Sequence, residues 1–96
     1  MSLAKKRNIL KIRKKLDSLD NKLLLLIKKR TKLVSKILSN KSSKSQIVDR
    51  KRISIILKNI RRKSLKRKID PKLTEKIWSG MIKAYIDFEY RKFKKK

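Results

Sequence analysis

Apolar residues at Ile9, Ile12, Leu16, Leu19, Leu23, Leu26, Leu33 and Ile37 recur in alternating steps of three and four. That spacing is the seam of one long amphipathic helix, from about Ile9 to Lys41. It constrains the fold more than any other feature, because a helix of this length needs partners along its whole extent. The seam breaks once, at Arg30, where a guanidinium stands in a hydrophobic stripe. Such a cation is costly to bury without a paired anion, and the chain offers only 7 Asp and Glu against 33 Lys and Arg.

Ninety-six residues make at most one domain with a modest core, so self-association is expected from the outset. The formal charge of +26 would draw any polyanion. It is spread through basic runs at Lys5 to Arg7, Lys28 to Arg30, Arg61 to Lys68 and Arg91 to Lys96. The abundance of Lys and Ile is also what an AT-rich genome produces, so charge alone argues weakly for nucleic acid. With no Cys or His, disulfides, Cys/His metal sites and His-based triads are excluded. The longest apolar run, Leu23 to Ile27, is too short to cross a bilayer, and the basic N-terminus lacks a signal-peptide hydrophobic region. The expectation is a cytoplasmic protein with no membrane partner, metal or cofactor.

The sequence predicts an all-α chain of three helices, a single domain over 1–96 with a basic tail from about residue 91. The first helix begins between Leu3 and Asn8 and runs to about Ser39. A second stripe beside its seam holds Arg13, Asp17, Asp20, Leu24, Ile27, Thr31, Val34, Leu38 and Lys41. Ser39 to Gln46 reads as a loop, with residues 42–46 its most mobile part. Asp49 caps a second helix carrying Arg52, Ile53, Ile55, Ile56, Leu57 and Ile60, expected to fray near Ser64. Asp70-Pro71 marks the start of a third helix. One of its lines carries Leu73, Ile77, Met81, Ala84 and Phe88, and the next carries Trp78, Ile82, Tyr85 and Glu89. Gly80 marks either a close approach by another element or a tolerated glycine.

Arg30 and Lys41 are eleven residues apart and point the same way from one helix or its end. Arg13 precedes Arg30 by seventeen residues, roughly 25 Å along the axis. One small ligand cannot touch both on the same helix, so a functional Arg13 must serve another site or a partner chain's. An up-down arrangement would gather Arg30, Lys41, Arg52 and Glu89 round a pocket suited to a small polyanionic molecule. With no evident nucleophile or base, chemistry there would rest on positioning and electrostatics. The plainer readings are a solvated Arg13, an Arg30 paired with Asp17, Asp20 or Glu89, and surface charges at Lys41 and Arg52. Glu89 would then be a partly exposed acid among lysines, and Asp17 and Asp20 salt-bridge formers.

Several segments together resemble the small all-α chorismate mutases and their relative, the isochorismate-pyruvate lyase. Ile12-Arg-Lys-Lys-Leu-Asp-Ser-Leu-Asp20, Leu-Leu-Leu-Leu-Ile-Lys-Lys-Arg30 and Lys41 look like the family's first helix. Val48-Asp-Arg-Lys-Arg52 resembles the start of its second, and Ile69-Asp-Pro with Ile77-Trp-Ser-Gly-Met-Ile82 its third. The resemblance covers about residues 9–92. It implies an intertwined homodimer whose long helices pair, with Arg13 reaching the partner's site while Arg30 and Arg52 serve their own. These arginines would hold the two carboxylates of the substrate, and Lys41 would stabilise charge on the breaking ether oxygen. The implied reaction is the pericyclic rearrangement of chorismate to prephenate.

Three positions depart from the mutase pattern. Ile53 stands where a glutamate usually contacts the ring hydroxyl, and Tyr85 where many members have a small residue. Both look like the lyase, which yields salicylate and pyruvate. Glu89 stands where many members have a glutamine donating to the ether oxygen. An ionised glutamate cannot donate and a protonated one can, so activity would require the protonated form. The expectation is a chorismate mutase of aromatic amino-acid biosynthesis without regulatory or fused domains. The alternatives are the lyase, a basic helical nucleic-acid-binding protein, and an inactive scaffold of the same fold.

Overall fold

The computed structural model describes residues 2–94 and contains three α-helices: α1, Leu3–Ser39; α2, Arg50–Lys66; and α3, Pro71–Lys92. No strand occurs among the described residues, so the chain is all-α as expected. None of these helices is long and apolar enough to cross a membrane. Two units divide the chain, residues 1–34 and 35–96.

The first unit consists of the helical stretch of α1 as far as Val34. Ser2 starts it, its hydroxyl accepting from the Lys5 N–H at 3.2 Å and its carbonyl from the Lys6 N–H at 3.0 Å. The apolar seam is present but uncovered. Leu16, Leu19, Leu23 and Leu33 keep 52, 53, 53 and 59 % of their surface exposed, whereas Arg30 in the same seam is half-buried. Asp17 and Asp20 are exposed.

The second unit holds the last turn of α1, the connection to α2, and the α2–α3 pair. Its buried apolar residues are Leu38, from the end of α1, and Ile47, from the connection. Half-buried Ile53, Ile56, Leu57 and Ile60 form the inward stripe of α2. On α3 the line of Trp78, Ile82, Tyr85 and Glu89 is half-buried or buried throughout. The adjoining line is covered only at Met81 and Phe88, while Leu73, Ile77 and Ala84 are exposed. A Cβ added at Gly80 would meet nothing within 4 Å, so among the described residues no other element makes close approach there.

Both predicted caps are present: Asp49 accepts from the Arg52 N–H at 3.0 Å, and Asp70 from the Lys72 N–H at 2.9 Å, with Pro71 in the first turn. Helix α2 runs two residues past the expected fraying point because Ser64 is buried and bonded. Its hydroxyl donates to the Ile60 carbonyl at 2.6 Å and lies 2.7 Å from the Thr74 hydroxyl of α3. The turn beyond is a Schellman motif, with Ile69 N–H bonded to Ser64 O at 2.9 Å and Lys68 N–H to Leu65 O at 3.2 Å. This motif needs a left-handed residue, which here is Lys68, at φ 58°. At the other end, Arg91 and Lys92 of the expected tail are helical and Phe93 is half-buried, whereas Lys95 and Lys96 lie outside the described residues.

A β-carbon at a left-handed position costs about 1–2 kcal/mol, partly offset by the chain entropy that glycine adds to the unfolded state. Replacing Lys68 with Gly is therefore expected to stabilise the fold by about 0.5–1 kcal/mol, raising Tm by a few degrees in a thermal melt.

Candidate active site

The site grows from the end of α1. Its last carbonyls are taken up locally: the Ser39 hydroxyl and the Asn40 side-chain amide both donate to Lys36 O, at 2.7 and 2.8 Å. Tight bonds from Asn40 N–H to Ile37 O and from Lys41 N–H to Leu38 O, each 3.0 Å, then close the turn. Lys41 thus leaves the helix at a fixed point rather than on a frayed end.

The connection that follows contains a short 3-10 turn, Lys44–Gln46. Gln46 folds back so that its side-chain carbonyl accepts from the Ser42 and Ser43 N–H groups, at 2.5 and 3.2 Å. Ile47, only 3 % exposed, pins the far end of the connection in the second unit's core. Polar composition identified this stretch as a loop. The signal for its internal order was Ser43-Lys-Ser-Gln46, a Ser with Gln three residues on, which is the spacing of a capping box.

Lys41 then meets Glu89. Its ammonium donates to Glu89 Oε1 at 3.0 Å and, more weakly, to the Ile47 carbonyl at 3.5 Å. Glu89 is 7 % exposed and sits late on α3, on the line shared with Tyr85 and Ile82. The plainer expectation of a partly exposed acid among lysines therefore fails: the carboxylate is buried and engaged. In this arrangement Glu89 is an acceptor. Lys41 has three N–H groups, and the two contacts described use two of them, which leaves one for a ligand oxygen. Beside the pair an open depression is lined by Lys41, Gln46, Val48, Asp49 and Arg50.

The other sequence-predicted residues divide between the two units. Arg52 is in the first turn of α2 and exposed, and Ile53 beside it is half-buried. Tyr85 is half-buried, its ring edge-on to Phe88 with centroids 6.2 Å apart. Arg13 and Arg30 belong to the first unit; Arg13 is exposed beside Ile9 and Leu10, and Arg30 is half-buried. Within the second unit Lys41 and Glu89 stand in direct contact, 48 residues apart in the chain. The pair can present a fixed, half-buried ammonium to a substrate oxygen, and a hydrogen bond to such a charge is stronger than one between neutral groups.

The sequence model for chorismate mutase type II matches residues 12–90. Comparison with curated proteins and with solved structures gives no match.

Proposed function

The chain belongs to the type II chorismate mutase family, and on that premise we propose that it is a chorismate mutase working as a homodimer in the cytoplasm. The observation that carries this reading is the contact of Lys41 with Glu89, which are the two positions that the family resemblance sets against the ether oxygen of the substrate. Arg30 and Arg52 hold the substrate's carboxylates together with Arg13 of a second copy. The bound molecule is kept compact, the ether C–O bond breaks as the new C–C bond forms, and no proton or covalent intermediate is required. Catalysis is then a matter of holding the near-attack geometry and stabilising charge on the departing oxygen.

The second reading, isochorismate-pyruvate lyase, is favoured by Ile53 and Tyr85, both half-buried in the second unit. Incubating the purified protein separately with chorismate and with isochorismate, and identifying the products by chromatography, should give prephenate from the first. Salicylate and pyruvate from the second alone would establish the lyase instead, and no turnover of either from acidic to neutral pH would sink both. Arg30→Ala should lower turnover at least a hundredfold, as expected when a charge-assisted bond to substrate is lost; a protein whose role is nucleic-acid binding would hardly register it.

Glu89 accepts from Lys41 and so has nothing to donate to the ether oxygen unless it carries a proton. Glutamine supplies a neutral donor at any pH. Glu89→Gln is expected to raise turnover near neutral pH by about tenfold, the worth of one hydrogen bond to developing charge, and to extend the active range upward. An unchanged pH–rate profile with no gain would show that Glu89 does not act through its proton.

A second copy is supported by the uncovered seam of α1, whose leucines stay half-exposed in a single chain. If Arg13 completes the partner's site, the Arg13→Ala and Arg30→Ala proteins are each inactive alone but restore one another on mixing. Random exchange of subunits leaves about a quarter of the sites intact. Recovery of that fraction after co-refolding is the expected result, and no recovery despite proven heterodimers would remove Arg13 from the shared site.

A further inference from the structure

Between Asp49 and Asp70 the chain contains no acidic residue, and both of those carboxylates are engaged as helix caps. The segment Lys58-Asn-Ile-Arg-Arg-Lys-Ser-Leu-Lys-Arg-Lys68 carries seven cations in eleven residues. Helical geometry sorts it. Ile53, Ile56, Leu57, Ile60 and Ser64 face inward, and on the opposite side Lys51, Lys58, Arg62 and Lys66 form a row, all exposed. Their spacings of seven, four and four residues give a line roughly 22 Å long. Among the described residues no carboxylate forms an ion pair with any of them.

We propose that this outer face of α2 is a sequence-independent binding surface for the phosphate backbone of duplex nucleic acid. The proposal stands apart from the enzyme reading and uses none of its residues. A row of unneutralised cations on a straight helix suits a regular array of phosphates, whose affinity comes from releasing condensed counterions. Single strands are the poorer fit, because they are held by aromatic stacking platforms. The row has none: Trp78, Tyr85, Phe88, Tyr90 and Phe93 all lie on α3 or just past it. Anionic membrane is also the poorer fit. An interfacial helix must sink its apolar face into the headgroup boundary, and that face of α2 is turned inward against α3. Ile55 and Leu65 are the large apolar side chains exposed beside the row, too few to replace it.

The test is fluorescence anisotropy with a short duplex DNA of arbitrary sequence, titrated at several salt concentrations. Three proteins are compared: the unaltered chain, the row variant Lys58→Gln/Arg62→Gln/Lys66→Gln, and a control losing the same charge, Lys5→Gln/Lys6→Gln/Arg7→Gln. The row variant should flatten the slope of log K against log salt by about 2–3, at about 0.9 per lost phosphate contact, and weaken binding at least tenfold. The control should change the slope by less than about 1. Helical circular dichroism of both variants matching that of the unaltered chain shows that the fold survives. Equal losses in the two variants would mean that the whole +26 charge attracts DNA diffusely and would overturn the assignment. So would tighter binding of the unaltered chain to phosphatidylserine vesicles than to duplex at the same salt.

Discussion

The helix α1 presents more apolar surface than the chain has means to cover. Its leucines stay half-exposed, and the buried apolar residues of the described chain are Leu38 and Ile47. Carrying one such leucine from half-exposed to buried contributes about 1 kcal/mol, so the seam as a whole represents a stabilisation comparable to that of a small domain. A core this slight leaves the longest element of the chain with most of its apolar seam exposed, which is the basis of the proposed dimer. The half-burial of Arg30 within that seam shows that the seam is not uniform, since a guanidinium and leucines ask different things of whatever adjoins them.

The same economy governs the second unit, where polar groups do much of the fixing. Ser64 and Thr74 tie α2 to α3 through a buried hydroxyl pair, and Lys41 and Glu89 tie the end of α1 to α3. A buried ion pair contributes little net stability compared with well-packed apolar side chains, yet losing one partner leaves the other charge stranded at a cost of several kcal/mol. Its retention is easier to understand as placement of a charge than as a source of stability. Gln46 and Ile47 serve that placement, the first by closing the connection on itself and the second by anchoring it in the core.

Much of this was legible in the residues because the governing signals are local. The bounds of α1, the caps Asp49 and Asp70, and the start of α3 at Pro71 follow from periodicity and capping chemistry. What escaped depended on partners distant in sequence. Ser64 looked like the end of a fraying helix, whereas its burial against Thr74 joins local backbone bonds in keeping that turn wound. Glu89 looked like a surface acid on the plain reading; its burial is set by where α3 lies against the end of α1. The continuation of α3 through Arg91 and Lys92 follows the same pattern, with Phe93 N–H bonded back to Glu89 O at 2.8 Å and Phe93 sharing a depression with Ser42, Ser43 and Lys44.

The proposed phosphate-binding face of α2 and the proposed pairing of α1 seams would respond to ionic strength in opposite directions. Two copies carrying +26 each repel one another, so dissolved salt, by screening that repulsion, would favour the proposed dimer. Attraction between a cationic helix face and phosphates weakens as the same salt rises. On the two proposals, dilute buffer would favour the protein bound to phosphates and concentrated buffer the protein as an assembly, with no change in its covalent structure.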